Sequence, residues 1–210
     1  MEDLKKVFAG KLLGIKAIKL QPNEPFTWAS GWKSPFYCDN RKTLSFHNVR
    51  SFVKLELVHA ILENFPEATA VAGVATGAIA QGMLVADELA LPYAYVRPKP
   101  KDHGMKNQIE GELPAGAKVI VVEDLISTGG SSLKAVAALR EAGFEVVGMV
   151  ASYTYGFPVA EEAFREAGVN LVTLTDYEHV IEKALETGYI KETDVPMLHE
   201  WREDPANWRK

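Results

Sequence analysis

The sequence predicts an α/β protein built on a doubly wound, mostly parallel sheet, and three observations carry that prediction. From about residue 69 onward, short apolar runs alternate with segments of helical periodicity, the pattern that places helices on the faces of a parallel sheet. The four β-branched residues at 119–122 show no polar alternation, as in a strand covered on both faces. Gly143, Gly168 and Gly188 each follow an apolar-periodic segment, where a helix needs a residue free to turn left-handed.

The chain has 210 residues and a net charge of −5, with 47% apolar and 24% charged residues, the balance of a globular protein. That length suits one α/β unit with a small appendage. No run approaches the ~18 apolar residues of a membrane span, and the first residues lack the apolar core of a signal peptide. Cys38 is the single cysteine, which excludes an internal disulfide and a cysteine-rich zinc site. A cytoplasmic location is expected. The acidic balance argues against a broad nucleic-acid surface, so a polyanionic ligand must be met by local cations.

Taken in order, residues 3–15 place Leu4, Val7, Phe8, Leu12, Leu13 and Ile15 at helical spacing. Residues 17–20 and 26–28 read as short strands around a turn at Pro22, Asn23 and Pro25. Residues 30–42 interleave aromatic and basic side chains around a Ser-Pro break. That segment reads either as an edge strand with Phe36 or Tyr37 in the core, or as a lid over a flat anionic heterocycle, with a ring to stack and cations to attract. Residues 46–64 form an amphipathic helix with Ser45 as N-cap. A buried strand at 69–74 leads through Ala75, Thr76 and Gly77 into a helix ending near residue 90.

A strand at 93–97 precedes a loop at 98–113 rich in Pro and Gly. The segment 97–106 holds Arg97, Lys99, Lys101 and Lys106 against Asp102 alone, an unusual basic stretch in an acidic chain. Helices at 131–142, 161–167 and 177–186 alternate with strands at 145–152 and 169–174. The tail from residue 194 reads as a short surface helix of no assigned role. Residues 1–45 stand outside the alternation and are expected to form an N-terminal helix and hood, with 46–210 as the core.

Chemistry concentrates after the central strand. Glu123 and Asp124 follow it at once, and Ser127, Thr128, Gly129, Gly130, Ser131 and Ser132 open the next helix. Backbone N–H groups at a helix N-terminus hold phosphate, glycines let the backbone approach it, and carboxylates accept from sugar hydroxyls. A helix cap alone does not need six small residues. A nucleoside-triphosphatase strand would need a G-x-x-x-x-G-K-[ST] loop upstream, and the chain has none. Ala75, Thr76 and Gly77 offer a second strand-to-helix turn for phosphate, at the same edge of the sheet.

Residues 121–131 resemble the phosphoribosyl pyrophosphate (PRPP) signature of the type I phosphoribosyltransferases. Residues 95–104, with Arg97, Lys101 and Asp102-His103-Gly104, resemble the catalytic loop of the orotate phosphoribosyltransferases. Residues 27–39, with Lys33, Ser34 and Pro35, are similar to that family's orotate-binding segment. The resemblance implies transfer of ribose 5-phosphate from PRPP to orotate, in pyrimidine synthesis. It implies Arg97, Lys101 and His103 on the diphosphate of PRPP, with Ala75, Thr76 and Gly77 as its loop. It places Glu123, Asp124, Leu125, Ile126, Ser127, Thr128, Gly129, Gly130 and Ser131 on the ribose and 5′-phosphate, and Ser127, Lys33 and Tyr37 on orotate. Lys101, His103 and Asp124 are the implied catalytic residues. It also implies Mg²⁺ held mainly through PRPP, and a homodimer in which the 97–113 loop completes the neighbouring site. Three positions depart from the family pattern. Pro98 replaces a second basic residue, Ala29 replaces a lysine, and 152–155 carry no arginine. A purine or uracil phosphoribosyltransferase and a PRPP-sensing regulator are the rival readings. The Arg97-to-Gly104 loop and Lys33-Ser34-Pro35 speak against the first, and the acidic charge speaks against the second.

Overall fold

The computed structural model describes residues 3–27, 31–99 and 108–209. Its centre is a six-stranded sheet of β5 (Ala70–Val74), β6 (Tyr93–Val96), β7 (Ile109–Glu110), β8 (Lys118–Ile126), β9 (Glu145–Thr154) and β10 (Leu171–Asp176). The strand order is β10-β9-β8-β5-β6-β7, parallel throughout except for β7. From β5 the chain moves one way to β6 and then returns to place β8 on the other side. The carboxyl ends of β5 and β8 therefore flank the switch point of the sheet, where the connecting loops part and leave a crevice.

The alternation along β8 explains its sequence. Val119 and Val121 face one layer of core with Val136 and Leu139 of α4 (Gly130–Glu141) and Phe164 of α5 (Pro158–Glu166). Ile120 and Val122 face the other layer, and all four are fully buried. That second layer holds α1 (Leu4–Gly14), α2 (His47–Asn64), α3 (Ile79–Leu89) and α6 (Tyr177–Glu186). Asp3 caps α1, its carboxylate accepting from the Lys5 N–H at 3.0 Å. Thr175 Oγ1 donates to the Lys5 carbonyl at 2.8 Å, and Lys5 Nζ meets Asp176 at 3.0 Å. These contacts bind α1 to β10, so α1 packs with the core layer.

Two small antiparallel pairs lie between α1 and α2. β1 (Ile18–Leu20) pairs with β4 (Phe36–Cys38), and β2 (Phe26–Thr27) pairs with β3 (Lys33–Ser34). Alternation across the β4 strand separates its aromatics, leaving Phe36 fully buried and Tyr37 37% exposed. Phe36 thus takes the core place that the edge-strand reading of 30–42 gives it.

Several boundaries differ from those the sequence suggests. β8 does not stop at Val122 but continues through the acid pair, because β9 extends with it and pairs Glu123 with Ala151 and Ile126 with Thr154. The 98–113 loop contains β7, whose two residues are too few to show periodicity. Ser45 caps nothing. It ends a 3₁₀ turn at Asn40–Ser45, and α2 begins after Phe46 without a side-chain cap. α5 starts at Pro158, whose fixed φ and missing N–H suit a first helical position.

The C-terminal tail departs most from expectation. α7 (Val195–Glu203) is no surface appendage, since Trp201 is fully buried in the main core and Trp208 nearly so. The rings of Phe36 and Trp201 stack with centroids 6.3 Å apart, and Trp201 Nε1 donates to the Lys33 carbonyl at 3.2 Å.

Candidate active site

The crevice at the ends of β5 and β8 is a cavity of about 320 Å³. Ala75, Thr76 and Gly77 form one wall, with a cis peptide bond between Ala75 and Thr76. Glu123, Asp124, Leu125 and Ser131 form another, and Cys38, Asp39, Asn40 and Arg41 close it from the N-terminal region. The two strand-to-helix turns singled out in the sequence therefore meet across one space. Asn40 fastens the covering segment, its Nδ2 donating to the Asp124 carbonyl at 2.6 Å.

The two acids differ in kind. Glu123 is buried at 4% exposure. Its carboxyl group accepts from the Asp124 N–H at 3.0 Å and from the Ser132 hydroxyl at 2.8 Å. Burial pushes Glu123 well above the usual carboxylate range, and the charge of Asp124 pushes it further the same way. Burial also raises Asp124, but Arg41 and main-chain hydrogen bonds oppose the rise. Glu123 is thus the more deeply buried acid, pushed up by burial and by its neighbour's charge, and Asp124 is the one that Arg41 and the main chain hold back towards the ionised form at the cavity. Burial pushes the Cys38 thiol well above its usual range, and the charges of Asp124 and Asp39 push it further the same way.

This assignment predicts a pH dependence. A carboxyl group whose pKa is raised on folding stabilises the fold fully below its unfolded range, and that contribution is lost as pH rises through the folded value. Glu123→Gln keeps the shape, accepts from the Asp124 N–H and donates to Ser132 Oγ, but cannot ionise. The variant should melt at the parent's temperature near pH 4 and above it at pH 8. Each tenfold weakening of the acid corresponds to about 1.4 kcal/mol, or about 3–6 °C for a chain of this size. Melting curves across that range check it, and a gap that does not change with pH would refute burial as the cause.

A second cavity, of about 370 Å³, shares Val74, Ala75 and Ser131 with the first. Arg97, Lys99 and Lys134 line it with Gln108 and Gly130, so cations gather on this side and carboxylates on the other. Arg97 is 3.4 Å from Glu110.

The remaining candidates distribute unevenly. Thr128 lines a third cavity with Trp32, Phe157 and Arg202. Ser127 is half-buried in the turn between β8 and α4. The Ile126 side chain is fully buried in the core, and its carbonyl accepts from the Tyr155 N–H at 3.0 Å, so both serve the fold. Gly129 has φ +79°, and a Cβ there would lie 2.9 Å from the Phe164 ring, so packing and conformation require this glycine. Gly130 faces open space, with nothing near its Cβ position. Lys33 Nζ donates to Thr27 Oγ1 at 2.9 Å across the β2–β3 pair, and the Tyr37 ring lies 5.5 Å from Phe26. Lys101 and His103 lie outside the described residues. Sequence reasoning gave no role to Asn40 and counted Ser132 only among the small residues of the loop. Asn40 could be found only through its contact with a residue 84 positions away.

Comparison with known proteins agrees with this geometry. The phosphoribosyl transferase domain model matches residues 56–178. Orotate phosphoribosyltransferase of Phocaeicola vulgatus is 69% identical over 208 residues, covering 99% of this chain and 98% of that protein. The enzyme of the same name from Porphyromonas gingivalis is 64% identical over 99% of each chain. The crystal structure of orotate phosphoribosyltransferase from Aeropyrum pernix matches with a TM-score of 0.76 at 30% identity, over 88% of this chain and 99% of that one. An adenine phosphoribosyltransferase from Leishmania tarentolae shares the fold, with a TM-score of 0.60 at 20% identity over 83% of this chain and 90% of that one, so the fold by itself does not name the base. With the acid pair, the small-residue turn and these likenesses in one place, the chain belongs to the phosphoribosyltransferase family, among its orotate phosphoribosyltransferases.

Proposed function

We propose that the chain transfers ribose 5-phosphate from PRPP to N1 of orotate, giving orotidine 5′-monophosphate and pyrophosphate, in pyrimidine synthesis. The observation that carries this reading is the Asp124 carboxyl group beside a buried Glu123, facing the 75–77 turn across a cavity at the switch point of the sheet.

The C1–oxygen bond to diphosphate breaks, and its electron pair leaves with pyrophosphate. A bond from N1 of orotate, entering as the anion, replaces it. Positive charge grows on the ribose ring between these events, and Asp124 stands where it can accept from the ribose hydroxyls and face that charge. Glu123, held by Ser132, supports the Asp124 main chain. The N–H groups at the start of α4, with Gly130 open to approach, suit the 5′-phosphate. Arg97, with Lys101 and His103 from the 97–113 loop, offers cations to the departing diphosphate. In a homodimer that loop would complete the neighbouring subunit's site, and its closure would exclude water, the competing nucleophile. Ser127, Lys33 and Tyr37 serve the acceptor base, under a hood formed by the strands before residue 45.

Among the described residues no group of three or more His, Cys, Asp or Glu could cage a metal. The Asp124 carboxylate in an open cavity nevertheless fits Mg²⁺, a cation that takes one or two carboxylates and fills its shell from substrate and water. Bound with PRPP, it would neutralise charge on the diphosphate. Among the described residues no helix is long and apolar enough to cross a membrane. A cytoplasmic enzyme is the matching assignment.

Loss of orotate absorbance on adding PRPP and Mg²⁺ tests the reading, with adenine, hypoxanthine and uracil as alternative acceptors. Turnover of orotate alone is expected. Turnover of another base in its place, or PRPP binding without turnover, would replace the reading with one of its rivals.

A further inference from the structure

We propose that Arg41 is a substrate-binding residue whose guanidinium grips the diphosphate of PRPP. The inference rests on the PRPP reading above and adds to it a residue that neither the signature turn nor the basic loop contains.

The charge of the cavity motivates it. Asp39, Glu123 and Asp124 line the space, and Arg41 is the cation among its lining residues. A diphosphate brought beside an ionised Asp124 is repelled unless a cation stands near it. The 75–77 turn cannot supply one. Ala75 and Thr76 are uncharged, and a Cβ at Gly77 would lie 2.1 Å from Asp124 Oδ2, so the Asp124 carboxylate excludes any side chain there. Arg97, Lys99 and Lys134 line the adjoining cavity, on the side of α4. Arg41, on the wall facing that turn, brings a protein cation to this side of the cavity, in addition to Mg²⁺ and the loop cations.

Its position is fixed and its donors are ready. Asn40, the preceding residue, holds the backbone by its 2.6 Å bond to the Asp124 carbonyl. Arg41 Nε donates to Asp39 Oδ1 at 2.7 Å. Both terminal amino groups are left without a hydrogen-bond partner among the described residues, on a side chain 63% exposed. Asp39 thus orients the guanidinium, and the free edge of its planar fork matches two phosphate oxygens.

Arg41→Ala should weaken binding of inorganic pyrophosphate in the presence of Mg²⁺ by about 10–100-fold, the range for losing a charged hydrogen-bond donor. The KM for PRPP should rise in parallel, with the KM for orotate unchanged. Arg41→Lys should recover only part of the loss, because an ammonium cannot make the forked contact. Pyrophosphate affinity within twofold of the parent would overturn the proposal. So would full recovery in the double variant Asp39→Asn with Arg41→Ala, because Arg41 would then only screen its neighbour. Orotate turnover by the unaltered chain tests the underlying reading separately, so the two can fail independently.

Discussion

Asp124→Asn should lower kcat/KM for PRPP by about a hundredfold or more and leave the folded chain intact. The effect is large because Asp124 is the acid that faces the cavity. Glu123 is buried at 4% exposure and pushed up by burial, while Arg41 and main-chain N–H groups favour the ionised form of Asp124. Asparagine preserves the outline beside Gly77 but presents no negative charge to a ribose ring that turns cationic as diphosphate leaves. Stability should move the other way or not at all, since burial raises the Asp124 pKa and the ionised group therefore costs the fold something at neutral pH. Steady-state kinetics and a melting curve on the same preparation separate the two effects. Full activity would remove Asp124 from the chemistry. A melt well below the parent's would make the loss a folding defect.

The site was legible where chemistry demands particular residues close together in sequence. The β-branched run at 119–122, the acids behind it and the six small residues after them lie within fourteen positions, and each restricts the backbone or a ligand locally. Long-range contacts determined what was not legible. Gly129 reads as room for a phosphate, and only the fold shows that a Cβ there would also lie 2.9 Å from the Phe164 ring. The end of β8 could not be set from its own residues, because β9 decides how far the pairing runs. Ser132 looks like one more small loop residue, but its hydroxyl is spent on Glu123. Asn40 and Arg41 fall at the end of an aromatic and basic run with no period, and only folding brings them to Asp124. The tail misled for the same reason, since isolated tryptophans among charged residues resemble a surface helix until their partners are known.

Trp201→Ala should therefore destabilise the chain by about 3–5 kcal/mol, the range for removing a buried large aromatic, and lower the melting midpoint by about 6–20 °C. Trp201 is fully buried and stacks on Phe36 of β4, with Tyr155, Phe157 and Tyr177 around it. Removing the indole opens a space walled by rings that cannot collapse together without moving the strands that carry them. The Lys33 carbonyl also loses its donor. Trp201→Phe separates the two costs. It keeps most of the packing and forfeits the hydrogen bond, so about 1 kcal/mol is expected from the missing donor and the rest from the smaller ring. Arg202 tethers the same helix to the end of β9 through the Tyr155 and Gly156 carbonyls at 3.0 and 2.7 Å, so the tail will not simply swing away to relieve the void. Equal melts for the alanine variant and the parent would show that the tail lies outside the cooperative core. A loss as predicted would make α7 the buttress on which the strand bearing Lys33 rests.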